Sequence, residues 1–214
     1  MFSPFGIAQE KGEYINMALS KRTIKSMATK ERIRNVALNL MRSQSIDQIS
    51  VQDICTMANV GVGTFYHHYK AKDDIVREAY FDMDAHFLKL AEEAKLMNFD
   101  PYEYVQRHFI CYTSFLTEVT VDFARKVFSM QSKVFLDNSR PIYTTIKSFL
   151  KEKQMNGDVA KELDIDNFCT YVSICLRGLA YDWCLHEGQY DLMRRCMEYA
   201  DNVLSGYRKM LGVN

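Results

Sequence analysis

The chain has 214 residues, enough for one or two domains with a sizeable buried core. With 48% hydrophobic and 25% charged residues it is not a disordered chain, and three Pro and nine Gly are too few to punctuate a many-stranded β-fold. Its net charge is +0, yet residues 20–70 carry eight bases against three acids and residues 71–214 carry 18 bases against 22 acids, so a basic first quarter precedes a mildly acidic body. That asymmetry suits a polyanionic partner. No secretory pattern opens the chain. The longest uncharged stretch, Ile54 to Tyr69, is too short and too polar to span a membrane, and the six cysteines form no Cys-x-x-Cys pair. A reduced, cytoplasmic protein with no membrane partner is expected.

In chain order, residues 1–26 show no sustained period and read as a mobile arm with a helical end around Lys21 to Lys25. From Thr29, taken as a cap, Ile33, Val36, Ala37, Leu40 and Met41 recur at helical steps. Ser50 and Asp53 have the spacing of a capping box for a short helix with Val51, Ile54, Cys55 and Ala58 on its inner face. After Asn59-Val60-Gly61 a second short helix runs to about Tyr69, and a long one runs from Lys72 to about Lys95, with Asp73 and Asp74 at its positive end. Five more are expected near 101–118, 121–133, 139–155, 164–187 and 190–211. The fold class is all-α with about nine helices. Three segments are expected: the arm 1–26, a three-helix module over 27–72, and a helical body over 73–214.

The stretch Ser50–Tyr69 carries the chemistry. Two helices of about two turns joined by a tight turn have helix-turn-helix geometry, with small Ala58 at the crossing, Asn59 tolerant of a left-handed backbone, and Val60 in the corner. Thr64, Tyr66, His67 and His68 can hydrogen-bond phosphates or base edges and stack on sugars, as a helix lying in a major groove requires. The bland alternative is a helical hairpin whose aromatics are core; the flanking bases favour DNA.

With Thr29-x-Glu31-Arg32-Ile33, Ala37-Leu38-x-Leu40, Ile49-Ser50-Val51-x-Asp53-Ile54, Ala58-x-Val60 and Gly63-Thr64-x-Tyr66-x-His68-Tyr69-Lys70-x-Lys72, the sequence resembles the tetracycline-repressor (TetR/AcrR) family of bacterial transcriptional regulators. The resemblance spans about residues 29–75. It implies nine or ten helices, a homodimer, and double-stranded operator DNA as partner. It makes Gln52 a base-reading candidate, places Thr64, Tyr66 and His68 at the DNA backbone and His67 at bases or sugars, and gives Lys72 a phosphate. Val62 and Gly63 belong to the same contact set, with Val62 able to pack on a thymine methyl. Departures are Ser45 at a turn where Gly is common, Gly61 in place of a Ser cap, Val62 in place of Lys, and Ala71, a poor cap.

The body is rich in aromatics. Phe87, Phe109, Tyr112, Phe128 and Trp183 are candidates for the lining of a small-molecule effector pocket, against the plainer reading that each is core. In the last helix Met193, Met197, Ala200, Leu204, Tyr207 and Leu211 alternate four- and three-residue steps, and the preceding helix offers Phe168, Val172, Cys175 and Leu179. Val172, Cys175, Leu179, Met197, Ala200, Leu204 and Tyr207 are therefore the candidate dimer interface, with intrachain packing as the alternative. His108 and Cys111 share a helix face but have no second such pair, so neither a metal nor any other cofactor is expected, and no catalytic constellation stands out. The expected function is a ligand-responsive, non-enzymatic repressor in which the helix from Lys72 links effector to DNA. The alternatives are a helical carrier or enzyme with a merely structural hairpin, and a DNA binder controlled by a protein partner.

Overall fold

The computed structural model of the chain describes residues 20–129 and 133–212. Among these residues it contains ten α-helices and three short 3-10 turns, with no strand. They form two compact units that part between Val76 and Arg77, slightly later than the boundary expected after residue 72.

In the first unit α1 spans Lys21–Ser43, α2 Val51–Ala58 and α3 Val62–His68, and α4 (Lys72–Phe81) begins. Helix α1 starts earlier than the sequence suggested. Ser20 is its cap, accepting from the Thr23 N–H at 3.2 Å, and neither Gly nor Pro occurs between Lys21 and Ser43 to interrupt it. Thr29 is therefore interior, its hydroxyl bonded back to the Lys25 carbonyl at 2.9 Å. The helical end expected around Lys21 to Lys25 is continuous with α1; the arm's first 19 residues lie outside the described ones. Ile33, Ala37, Leu38 and Met41 bury one face of α1 against α2 and α3.

The second unit holds α5 (Met83–Met97), α6 (Pro101–Glu118), α7 (Val121–Ser129), α8 (Pro141–Asn156), α9 (Ile165–Leu185) and α10 (Leu192–Ser205). The single helix expected from Lys72 to Lys95 is broken at Asp82, which explains the tenth helix. There Asp82 N–H reaches Ala79 O and Ala85 N–H reaches Asp82 O, both 3.1 Å, so the turn tightens to three-residue bonds while Asp82 keeps helical angles. Helix α6, capped by Asp100 and started by Pro101, matches its expected span and packs against α5, α8, α9 and α10. Its buried face carries Tyr104, His108 and Tyr112, one turn apart. Helix α10 stops at Ser205, short of residue 211, and a 3-10 turn comes after it at Lys209–Leu211.

The candidate dimer seam is mostly the protomer's own core. Val172, Leu179, Ala200 and Leu204 are buried within the chain, Leu204 with 0% exposure. Cys175 and Tyr207 are half-buried, Tyr207 ring-to-ring with Phe168 at 4.8 Å, and only Met197 stands exposed. Helix α9 is apolar on two faces, and the periodicity found the inward one. Its outward face presents Tyr171, Ile174, Gly178, Tyr181 and Leu185, again at alternating three- and four-residue steps. A buried ion pair ties α5 to the start of α8: Arg140, 4% exposed, holds Asp84 through Nε and Nη2, each at 3.0 Å, with Tyr80 and Phe81 rings against its guanidinium.

Candidate nucleic-acid interface

Local chemistry builds the surface of α2 and α3. Ser50 and Asp53 close the capping box: Asp53 N–H donates to Ser50 Oγ at 3.1 Å and Ser50 N–H donates to Asp53 Oδ2 at 2.8 Å. The Ser50 hydroxyl, which donates to the same Oδ2, and then the Ser50 N–H hold the Asp53 carboxyl below its usual range. Asn59 ends α2 in the left-handed conformation (φ 50°, ψ 55°), and Val60 N–H returns to Cys55 O at 3.0 Å. Gly61, extended at φ −74°, opens α3 by accepting from Thr64 N–H at 2.9 Å.

Helix α3 is short and sharply two-sided. Phe65 (0% exposed) and the adjoining Tyr69 are sunk into the unit. Opposite them Val62, Gly63, Tyr66 and His67 are open, with Tyr66 55% exposed, and Thr64 and His68 are half-buried. Open space surrounds the Cβ position of Gly63, so nothing within the chain demands glycine there. The His67 and His68 rings lie 5.0 Å apart, edge to face. Burial first, then His67 and Lys30, lower the His68 pKa. Gln52 is exposed on α2, its amide 3.4 Å from the Thr56 hydroxyl. All eight residues selected for DNA contact thus have some or all of their surface open.

Lys72 is different. Its ammonium is part-buried and donates to the carbonyls of Ile46 (2.5 Å) and Ile49 (2.9 Å), fastening the start of α4 to the loop before α2. The sequence could not show this, because the carbonyls it serves lie more than twenty residues away. With two of three N–H groups engaged, Lys72 first positions the module and has one donor left for a phosphate. The poor cap at Ala71 is compensated by Asp74, whose carboxylate accepts from the N–H groups of Lys70 (2.9 Å) and Ala71 (3.1 Å).

A family model described as "Bacterial regulatory proteins, tetR family" matches residues 33–79, the segment that holds this module. The chain thus carries the tetR-family module of bacterial regulatory proteins. Along its length it is 20% identical over 198 residues to a "Probable acrEF/envCD operon repressor" of Escherichia coli (strain K12), covering 87% of this chain and 90% of that one. It is 24% identical over 200 residues to the "HTH-type transcriptional regulator AcrR" of Shigella flexneri, covering 84% and 89%. Among solved structures, RolR in complex with resorcinol superposes with TM-score 0.64 at 18% identity, covering 89% and 90% of the two chains. FadR from Bacillus subtilis in complex with stearoyl-CoA does so with TM-score 0.59 at 19% identity, covering 86% and 99%. These two likenesses show the shared fold.

Two of the five residues expected to line an effector pocket share a crevice among the described residues. Tyr112 and Phe128 line a single apolar crevice with Tyr80, Leu116 and Phe135, too narrow for a water molecule. Phe87 is fully buried with its ring 4.5 Å from that of His108. His108 in turn bonds Ile142 O through Nε2 at 2.7 Å, and burial lowers its pKa to about 4. Phe109 is buried, and its carbonyl lies 3.5 Å from Cys196 Sγ. Trp183 is a structural anchor: its indole N–H donates to Tyr190 O at 3.2 Å, and Gly188, at φ +73°, turns the chain hard against its ring and Val121. Phe87, Phe109 and Trp183 are thus buried and in contact with neighbouring groups of the body. No helix among the described residues is long and apolar enough to cross a membrane.

Proposed function

We propose that this protein is a homodimeric repressor that grips operator DNA with α3 and releases it when a small-molecule effector binds the Arg77–Asn214 unit. The observation that carries the DNA half is the division of α3: Phe65 and Tyr69 lock it in place while Tyr66, His67 and the Val62–Gly63 edge stand clear. A short helix with a fixed inner face and an open polar-aromatic outer face is what entry into a major groove needs. Thr64, Tyr66 and His68 serve the phosphates, and Gln52, Val62 and His67 serve base edges. Phosphate contacts set register while base contacts discriminate. The operon repressors related to this chain act in the same sense, and RolR and FadR, which share the fold, hold resorcinol and acyl-CoA ligands.

The dimer reading moves to the outer face of α9. Tyr171, Ile174, Tyr181 and Leu185 form an exposed apolar stripe with Gly178 at its centre, where no atom lies near a would-be Cβ and a second helix can approach closely. Met197 on α10 remains a contact candidate. The experiment is selection of duplexes from a random pool, with affinity then measured against salt. A two-fold symmetric site, with half-site centres roughly 34–36 Å apart or a multiple of that, is expected, together with a steep loss of affinity as salt rises. Ile174→Glu should give folded monomers that bind this site on the order of 100-fold more weakly, because each protomer covers one half-site. Binding with no sequence preference would contradict the repressor reading, and a full-affinity Ile174→Glu monomer would contradict the dimer.

A further inference from the structure

A cleft of about 410 Å³ lies among α8, α9 and the 3-10 turn Lys133–Leu136, apart from Phe87, Phe109, Tyr112, Phe128 and Trp183. Its volume is in the range of small-molecule sites. Two cations and one carboxylate line it. Lys147 is paired with Asp166, which also meets Lys151 at 3.7 Å. Arg177 has no carboxylate partner among the described residues. One of its N–H groups, on Nη1, donates to Phe135 O at 2.5 Å, and the same nitrogen lies 3.5 Å from Tyr143 Oη.

A half-buried guanidinium without a counter-charge has lost part of its hydration and gained no ion in return. The bond to Phe135 O fixes the plane of its fork and leaves further N–H donors for a planar, bidentate carboxylate. Beside it the cleft wall is apolar and aromatic: Phe135 and Tyr143 line it, and Leu136 stands exposed at the rim. On the α9 wall the hydroxyls of Thr170 and Ser173 donate to helical carbonyls at 2.9 and 2.8 Å, so they present lone pairs to an incoming O–H. The charge count favours a monoanion. Lys147 and Lys151 share Asp166, and Arg177 is the lining cation with no carboxylate of its own, which one carboxylate matches.

We propose that this cleft is the effector site and that the effector is a hydroxylated aromatic monocarboxylate, its carboxylate on Arg177, its ring against Phe135 and Tyr143, and its hydroxyl toward Thr170 and Ser173. The release of DNA rests on the repressor reading; the binding does not.

The test uses the full chain and three acids, 4-hydroxybenzoate, 4-hydroxyphenylacetate and 3-(4-hydroxyphenyl)propionate, each against its primary amide, by titration calorimetry. At least one acid should bind saturably, roughly tenfold or more tighter than its amide, and Arg177→Gln should remove that preference while leaving amide binding unchanged. Thr170→Val, about two turns before Arg177 on α9, should weaken the hydroxylated acid several-fold and leave its dehydroxylated analogue unaffected, which checks the site even if Arg177→Gln does not fold. Failure of all three acids at millimolar concentration, or equal binding of acid and amide, overturns the site. An acid that binds but leaves operator affinity unchanged overturns its role as effector. Failure of the ligand-free protein to bind DNA counts against the repressor reading alone.

Discussion

The two units of this chain carry function in opposite ways. In the first, the groups proposed to contact DNA stand on the outside of very short helices, and the interior below them is plain: Ile33, Ala37, Ile54 and Phe65 fill it. In the second, polar and aromatic groups are driven inward. Arg140, His108 and Thr113 are buried there, and Tyr104 and Tyr112 sit in the same core. A surface built for a polyanion can change its outer residues at little cost in stability. A body that contains buried charge and imidazole has its stability bound to those groups. Substitutions on the open face of the first unit should alter binding with the fold unchanged, and substitutions at the polar groups of the second should alter the fold first.

The largest contrast is expected at Arg140. Removing one member of a buried pair leaves the other charge desolvated, so Arg140→Ala should lower unfolding stability by about 3–5 kcal/mol in urea denaturation. His67→Ala in the first unit should change it by no more than about 0.5 kcal/mol. Equal effects would erase the distinction between the units.

His108 sharpens it through pH. Burial lowers its pKa from 6.5 to about 4, so below pH 6.5 the unfolded chain takes up the proton first and stability falls as pH drops. The loss is complete near pH 4 and amounts to roughly 3 kcal/mol. It precedes the loss from Asp53, Asp137 and Asp166, whose lowered carboxyls protonate only further down. Equilibrium unfolding from pH 7 to 4 should show this slope in the native chain and a flatter one in His108→Phe.

The smallest effect concerns Gly61. A Cβ there meets nothing within 4 Å and the backbone is extended, so Gly61→Ser adds a side-chain cap to α3 and should raise stability by a few tenths of a kcal/mol. A decrease would show that the start of α3 is closed to a side chain.

The same contrast decides what could be read from the residues alone. The α2–α3 module is legible because each signal acts locally: Ser50 caps through Asp53, Asn59 turns the chain, and Gly61 starts the next helix within a few residues. The spans of α6 and α8 are legible for the same reason, through Asp100-Pro101 and Gly157. The features that escaped the sequence depend on distance. Lys72 has the sequence position of a phosphate ligand, and only the fold brings the carbonyls of Ile46 and Ile49 to its ammonium. Leu204 and Ile174 are both apolar at seam-like spacing, and only tertiary packing shows that the first faces in and the second out. The break at Asp82 carries no Gly or Pro to announce it.

The most direct measurement of the central claim, that the open face of α3 contacts DNA while its buried face holds the fold, is the operator dissociation constant of Tyr66→Ala, taken beside its urea midpoint. A loss of tenfold or more in affinity, about 1.4 kcal/mol, with an unchanged midpoint is the predicted result. Native affinity in Tyr66→Ala, or a loss matched by a fallen midpoint, would contradict it.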